Sequence, residues 1–295
     1  MPSLNYAAPT SVAEAVALLA GAPGRARPLS GGTDLLVQLR SGRMKPELIV
    51  DTKHIPGMVG ISGDAATGFT IGAATSGAMM EAHAALKAAW PGVVEAMDLI
   101  GSEQIQGRAT LAGNLCNASP AADSVPAMVA AGAKAIVVGP AGERVVAVET
   151  IPTGPGRTSL AAGEFIRAIT LPPHAARSGD AYLRFIPRTE MDIAVVGCGV
   201  HVTLDANGVC TAARVVLGAV APTVLLVDAA AAALVGHTLD DATLAALDAA
   251  ARAACKPITD KRGTIEYRIK VAGVMARRTA AIAFARAQGR AVKGH

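Results

Sequence analysis

The sequence predicts an α+β chain in two parts: two small α/β units, then an antiparallel sheet covered on one face by helices. Three observations carry this prediction. The 295 residues suffice for two domains of ordinary size. Helical and strand-like patterns alternate as far as Leu171. Beyond a break at residues 172–179, three strands follow one another and then only helices, the order of a sheet with one covered face.

The opening helix is signalled by Ser11-Val12-Ala13-Glu14, a capping box in which each end satisfies an orphan amide of the other. Val12, Val16 and Leu19 recur on one face, and Gly21-Ala22-Pro23-Gly24 stops the helix. An apolar stretch at 26–29 leads into Ser30-Gly31-Gly32-Thr33-Asp34, a helical segment follows to Leu39, and 47–51 reads as a buried strand. In the second unit 68–72 is strand-like, Ser76 caps a helix to about Ala89, and Pro91 starts another, where its missing amide costs nothing. Residues 101–120 read as a long loop rich in Gly, Asn and Ser, and 121–131 as a helix. Strands at 134–138 and 144–148 form a hairpin, and 164–171 is a closing strand. The linker at 172–179 has two prolines and no apolar periodicity. Strands at 181–187, 194–204 and 209–217 follow, the last two joined by Asn207-Gly208, then helices near 227–235, 240–255 and 265–288. The expected division is therefore 1–175, itself split at about 53/54, and 176–295.

Hydrophobic residues at 52% and charged residues at 17% support packed cores and exclude a disordered chain. The net charge of +4 is scattered, with one dense basic stretch at 277–293, and aromatics are only 3%, so a nucleic-acid groove is not expected. The start Met1-Pro2-Ser3-Leu4-Asn5-Tyr6 has neither a basic nor an apolar leader segment. The longest apolar run, 215–227, is too short for a membrane span and contains Pro222, so a cytoplasmic protein without a transmembrane segment is expected. Cysteines 116, 198, 210 and 255 form no CxxC pair and lie at no ligand spacing from histidine, which argues against a metal or cluster site made by this chain alone. Cys198, Cys210 and Cys255 read as small buried hydrophobes.

No GxGxxG, Walker A or GxSxG motif occurs, and no two histidines stand four apart, so no triad or hydrolytic metal centre is indicated and no catalytic residue is assigned. Two glycine-bearing segments remain. Leu29-Ser30-Gly31-Gly32-Thr33-Asp34-Leu35 brings a strand into two glycines that let main chain approach a ligand, with successive amides forming an anion cradle; an ordinary strand–turn–helix corner is the alternative. Residues 104–123 offer amides, hydroxyls and one carboxylate, a set suited to a diphosphate and a sugar; a surface loop is the alternative.

In these segments the chain resembles the medium, flavin-binding subunit of the molybdenum hydroxylases, a family that includes aerobic carbon monoxide dehydrogenase and xanthine dehydrogenase. The resemblance runs from Ser11 through Ser30 to Leu35, Ile49-Val50-Asp51 and Gln104 to Asp123, then Gly163-Glu164-Phe165-Ile166, Met191-Asp192-Ile193-Ala194, Glu266-Tyr267-Arg268 and Ala272-Gly273-Val274-Met275. It implies a PCMH-type FAD-binding domain of two α/β subdomains and a C-terminal domain with a three-stranded antiparallel sheet. It further implies that Leu29, Ser30, Gly31, Gly32, Thr33, Asp34 and Leu35 hold the FAD pyrophosphate. Ala109, Thr110, Ala112, Gly113 and Asn114 correspond to the second flavin motif, Ala112 standing where the family has glycine. Asp123 matches an acid on the adenosine half, Phe165 and Ile166 lie near the adenine, and Ile100 and Ile193 lie beside the isoalloxazine ring.

The resemblance implies an electron-transfer role within a complex. A large subunit carrying the molybdenum cofactor oxidises substrate, a small subunit carries [2Fe-2S] clusters, and FAD in this chain delivers electrons to an external acceptor, the whole being a dimer of heterotrimers. The benzoyl-CoA reductase branch is disfavoured, because the chain has no cysteine-rich insertion. A self-sufficient FAD-dependent oxidoreductase acting on a small molecule is the rival expectation, and a scaffold without cofactor is a third.

Overall fold

A computed structural model describes residues 4–188 and 191–294; Met1, Pro2 and Ser3 of the leader reading lie outside them. The first unit comprises β1 (Asn5–Ala7), α1 (Val12–Gly21), β2 (Ala26–Leu29), α2 (Leu35–Arg40) and β3 (Leu48–Asp51). Its sheet is parallel in the order β1-β3-β2. Ser11 Oγ accepts the Glu14 amide at 3.2 Å, while the Glu14 carboxylate reaches back to Thr10 N at 3.1 Å, one residue before the cap. Ala15 and Leu19 are the buried face of α1. The sequence reading omitted β1, which is three residues long and largely exposed. Pairing to β3 and the Tyr6 hydroxyl, which donates to Asp51 Oδ2 at 2.7 Å, hold it instead of apolar burial.

The second unit begins with β4 (Ile61–Asp64) and β5 (Gly68–Gly72). Six short helices follow: α3 (Gly77–Glu81), α4 (Ala84–Ala89), α5 (Pro91–Asp98), α6 (Glu103–Gln106), α7 (Leu111–Asn117) and α8 (Ser124–Ala130). It ends with β6 (Lys134–Gly139), β7 (Gly142–Ala147), a ribbon of β8 (Pro152–Gly154) and β9 (Arg157–Thr158), and β10 (Phe165–Leu171). The main sheet is antiparallel in the order β4-β5-β10-β6-β7. Two expectations are corrected here. The helix begun at Ser76 breaks after Glu81, because His83 Nδ1 accepts the Leu86 amide at 3.1 Å and starts a new helix. Residues 101–120 are not a loop: Thr110 caps α7, and Leu111 and Leu115 pin that helix into the core.

The third part holds β11 (Ser178–Phe185), β12 (Val196–Leu204), β13 (Cys210–Gly218), β14 (Leu225–Leu226), α9 (Asp228–Ala232), α10 (Asp241–Ala254) and α11 (Ile265–Ala287). The three expected strands are joined at the edge by the two-residue β14, giving the antiparallel order β11-β12-β13-β14. The last two residues assigned to the linker, Ser178 and Gly179, already pair with β12. Ala272, Ala276, Ala280 and Ala283 form a fully buried stripe on α11. Small side chains at that spacing let the helix lie close on β11 and β12. One core fills the first two units and a second lies between this sheet and its helices.

Candidate flavin-binding site

Ser30 follows β2 and fixes the floor of the site. Its hydroxyl donates to the Ala73 carbonyl at 2.7 Å and lies 3.0 Å from Thr110 Oγ1. A Cβ on Gly31 would come 2.0 Å from the Arg108 carbonyl oxygen, and Arg108 Nε in turn reaches Gly31 O at 3.4 Å. The two glycine-bearing segments, 80 residues apart, therefore touch main chain to main chain. The missing side chain of Gly31 is what admits the other segment. Gly32 has φ +83°, a backbone state that side-chain-bearing residues rarely adopt. The turn it makes leaves the main-chain N–H groups of Ser30, Gly31, Gly32, Thr33 and Asp34 without an acceptor among the described residues. Asp34 is exposed and makes no cap hydrogen bond, and Leu35 opens α2. Lys53, which the sequence reading missed, donates to Ser30 O at 3.3 Å and pairs with Asp51 at 2.6 Å. Its only sequence signal is a cation two residues after a buried strand.

The second segment faces the first. The buried Ala109 carbonyl accepts Gly77 N at 2.9 Å, and Thr110 Oγ1 accepts the Gly113 amide at 3.0 Å. Leu111 and Ala112, at the start of α7, keep unpartnered amides among the described residues. The Ala112 side chain is part of the core, so the methyl group that replaces the family glycine does not stand over the amides. Asn114 Oδ1 accepts Ser124 N at 3.3 Å and Ser124 Oγ at 2.7 Å, which turns its carbonyl toward α8.

The remaining expected contacts are distributed differently. Asp123 is buried, with Oδ1 accepting the Tyr182 hydroxyl at 2.9 Å and Oδ2 accepting Arg184 Nη1 at 2.8 Å. Burial pushes its carboxyl up to about 6, against the pull of the Arg184 charge and the Tyr182 hydroxyl. Each oxygen thus already holds a protein donor, so Asp123 braces the second unit against the C-terminal sheet. Phe165 and Ile166 send their side chains into the first core, which leaves main chain for any adenine contact. Beside them is a bulge between Ile166 and Ala168, where Arg167 O accepts Ala73 N at 3.0 Å, one residue chain linking the bulge to Ser30.

Ile100 is half-buried and packs on the first core; its neighbours Leu99 and Gly101, with Arg184, line a cleft of about 520 Å³ that Ile100 itself does not line. Arg184 Nη1 also approaches the Asp192 carbonyl at 3.5 Å, while Ile193 is exposed and its amide donates to its neighbour Asp192 Oδ1 at 2.8 Å. Neither isoleucine thus lines that cleft; Arg184 does, next to the Ile100 segment, and it touches the main chain before Ile193. The sequence reading passed over it inside an apolar strand, where a lone cation was the available signal. Among the described residues no three His, Cys, Asp or Glu side chains group as a metal site. Among the described residues the two segments supply anion-binding amides and one flanking ammonium, with an open cleft near Ile100.

Residues 2–174 match the family model of the FAD binding domain in molybdopterin dehydrogenase. The chain belongs to this family. Residues 181–283 match the CO dehydrogenase flavoprotein C-terminal domain. The carbon monoxide dehydrogenase medium chain of Afipia carboxidovorans is 36% identical over 97% of this chain and 98% of its own length. The xanthine dehydrogenase FAD-binding subunit of Escherichia coli O157:H7 is 30% identical over 97% and 98% of the two chains. The solved structure of reconstituted CO dehydrogenase from Oligotropha carboxidovorans matches with a TM-score of 0.91 at 36% identity, over 97% of this chain and 99% of that one. The molybdopterin-dehydrogenase flavoprotein fold, a FAD-binding part followed by an antiparallel sheet, is thus the fold of this chain, and its relatives are subunits of oxidoreductases. The residues present fit FAD: five unpartnered successive amides with a left-handed glycine among them match a diphosphate, and Lys53 stands beside them. Among the described residues no helix is long and apolar enough to cross a membrane.

Proposed function

We propose that this chain is the FAD-holding relay of a molybdenum hydroxylase complex. Electrons reach it from [2Fe-2S] clusters of a small partner subunit and leave for an external acceptor, while a large partner with the molybdenum cofactor oxidises the substrate. Bound flavin supplies the redox chemistry, and the protein supplies binding, orientation and local charge. The amides from Ser30 to Asp34 take the diphosphate, with Leu111 and Ala112 N–H opposite and the Lys53 ammonium as counter-charge. The adenine half runs toward the main chain of Phe165 and Ile166, and the ring end toward the Arg184-lined cleft beside the Ile100 segment. The complex is a dimer of heterotrimers in the cytoplasm, and the chain divides at about 175/176, with a further division near 53/54.

The observation that carries this reading is the run of unsatisfied amides at a left-handed Gly32. Gly32→Val tests it. A β-branched residue at φ +83° forces that turn to change. The expected product is folded by circular dichroism and colourless, with flavin content below a tenth of wild type. Wild-type flavin content in that variant rejects the cradle. Mass measurement of the purified complex tests the subunit stoichiometry.

A further inference from the structure

We infer that Tyr6 and Asp51 are positioning residues for the cofactor: across the first sheet they aim the Lys53 ammonium at the flavin diphosphate. This rests on the cradle reading above and adds how its counter-charge is held. The first sheet is parallel with β3 in the middle, so the C-terminal ends of its strands share one edge. Leu29, which ends β2 just before Ser30, is paired with Asp51, which ends β3. Ligands of open α/β sheets bind outside that edge.

Asp51 is buried, and its two oxygens are divided between neighbours. Oδ2 accepts the Tyr6 hydroxyl at 2.7 Å, and Oδ1 accepts Lys53 Nζ at 2.6 Å and Lys53 N at 3.0 Å. Burial works against the Asp51 charge, but the Lys53 ammonium and the Tyr6 hydroxyl hold the carboxyl below its ordinary range. Tyr6 is 61% exposed, so what it contributes is its hydroxyl bond and not apolar burial.

A lysine side chain left free spreads its charge over many rotamers. Here it is pinned at both ends. Thr52 Oγ1 donates to Leu29 O at 3.2 Å and ties the backbone before Lys53 to β2. At the other end Nζ holds Asp51 Oδ1 and, at 3.3 Å, Ser30 O. An ammonium carries three donors, and among the described residues two are used, which leaves the third for a ligand oxygen. The Ser30 carbonyl shares a peptide plane with the Gly31 amide, so Nζ stands within about 6 Å of that nitrogen. An anion on the amides from Gly31 to Asp34 therefore meets the ammonium as well. By charge alone a carboxylate beside an anion site weakens binding. Its charge and its positioning role thus predict opposite signs for its removal.

The test titrates FAD into the full chain stripped of flavin, followed by flavin fluorescence, with circular dichroism on every variant. Asp51→Asn keeps an acceptor for the Lys53 amide and removes the charge that orients Nζ. It is expected to weaken FAD binding about tenfold although the chain gains a positive charge, and Lys53→Met to weaken it to the same extent. Tyr6→Phe is expected to weaken it about threefold, and to add nothing in the Lys53→Met background. The wild-type Kd is expected to rise more steeply with salt than that of Lys53→Met. Lys134→Met, which loses the same charge at an exposed position on β6, is expected to bind as wild type. Unchanged or tighter FAD binding by Asp51→Asn overturns the positioning role. So does a Tyr6→Phe effect that persists without Lys53, or a salt dependence that Lys53→Met leaves unaltered. If Asp51→Asn does not fold, the Tyr6 and Lys53 cycle decides alone. A Gly32→Val variant that binds FAD as wild type overturns the cradle reading, and the positioning role with it.

Discussion

Two residues decide how the halves of the site meet. Gly31 lies where any side chain would strike the Arg108 carbonyl, at 2.0 Å from a Cβ. Gly31→Ala is therefore expected to cost about 1–3 kcal/mol, the usual range for overpacking, and to lower FAD affinity. Urea unfolding and a flavin titration check both. Thr110 caps α7 and meets Ser30 across the crevice, so Thr110→Val removes a cap and a hydroxyl pair at once. The expected loss is about 1–2 kcal/mol of stability, with Thr110→Ser close to wild type. The glycines and the capping hydroxyls were legible from residue type and spacing. Their partners were not, because a contact 80 residues away leaves no local pattern. Asp123 shows the same limit: its residue type suits a sugar, but Tyr182 and Arg184 hold its oxygens.

Helices with a strong cap or a periodic apolar face were read at the right places, as at Ser11, Asp240 and Thr264. Strands β1, β4, β8 and β9 were missed because each is short and none carries an apolar run; ladder pairing alone makes them strands. Helices α6 and α7 were hidden by Gly, Asn and Ser, residues that favour turns until a core position such as Leu115 pins them. At this scale the alanine stripe of α11 gives a direct test. Ala276 is fully buried against the sheet, so Ala276→Leu is expected to destabilise by about 1–3 kcal/mol, measured by thermal or urea unfolding. Ile265, exposed at the start of the same helix, is expected to tolerate Ala within about 0.5 kcal/mol.

The C-terminal sheet is bound to the flavin units by charge as well as by packing. Asp180 on β11 accepts Val93 N at 3.2 Å at the start of α5, and Arg286 of α11 pairs with Glu95 in the same helix. Burial pushes the Asp180 carboxyl up to about 7, opposed by the Gly92 amide and the Arg286 charge. A folded value above the unfolded one means that the native state keeps a proton the unfolded chain has released. The Asp180 contribution to stability therefore declines as pH rises from about 4 to 7, and is constant above. His201, pushed down to about 4 by burial, acts in the opposite sense between about 4 and 6.5. The comparison that isolates Asp180 is Asp180→Asn against wild type. The variant's relative stability is expected to grow as pH rises from about 5 to 7.5, checked by urea midpoints across that range; a pH-independent difference rejects the assignment.

The hydroxyls of Ser30 and Thr110 meet at 3.0 Å, a bond made by protein groups alone. The two flavin units are thus stitched together beneath the place where a nucleotide would lie, so little conformational entropy remains to be lost on loading. Chain stripped of flavin by mild chaotrope should stay folded, and should regain its yellow colour on simple mixing without a refolding step.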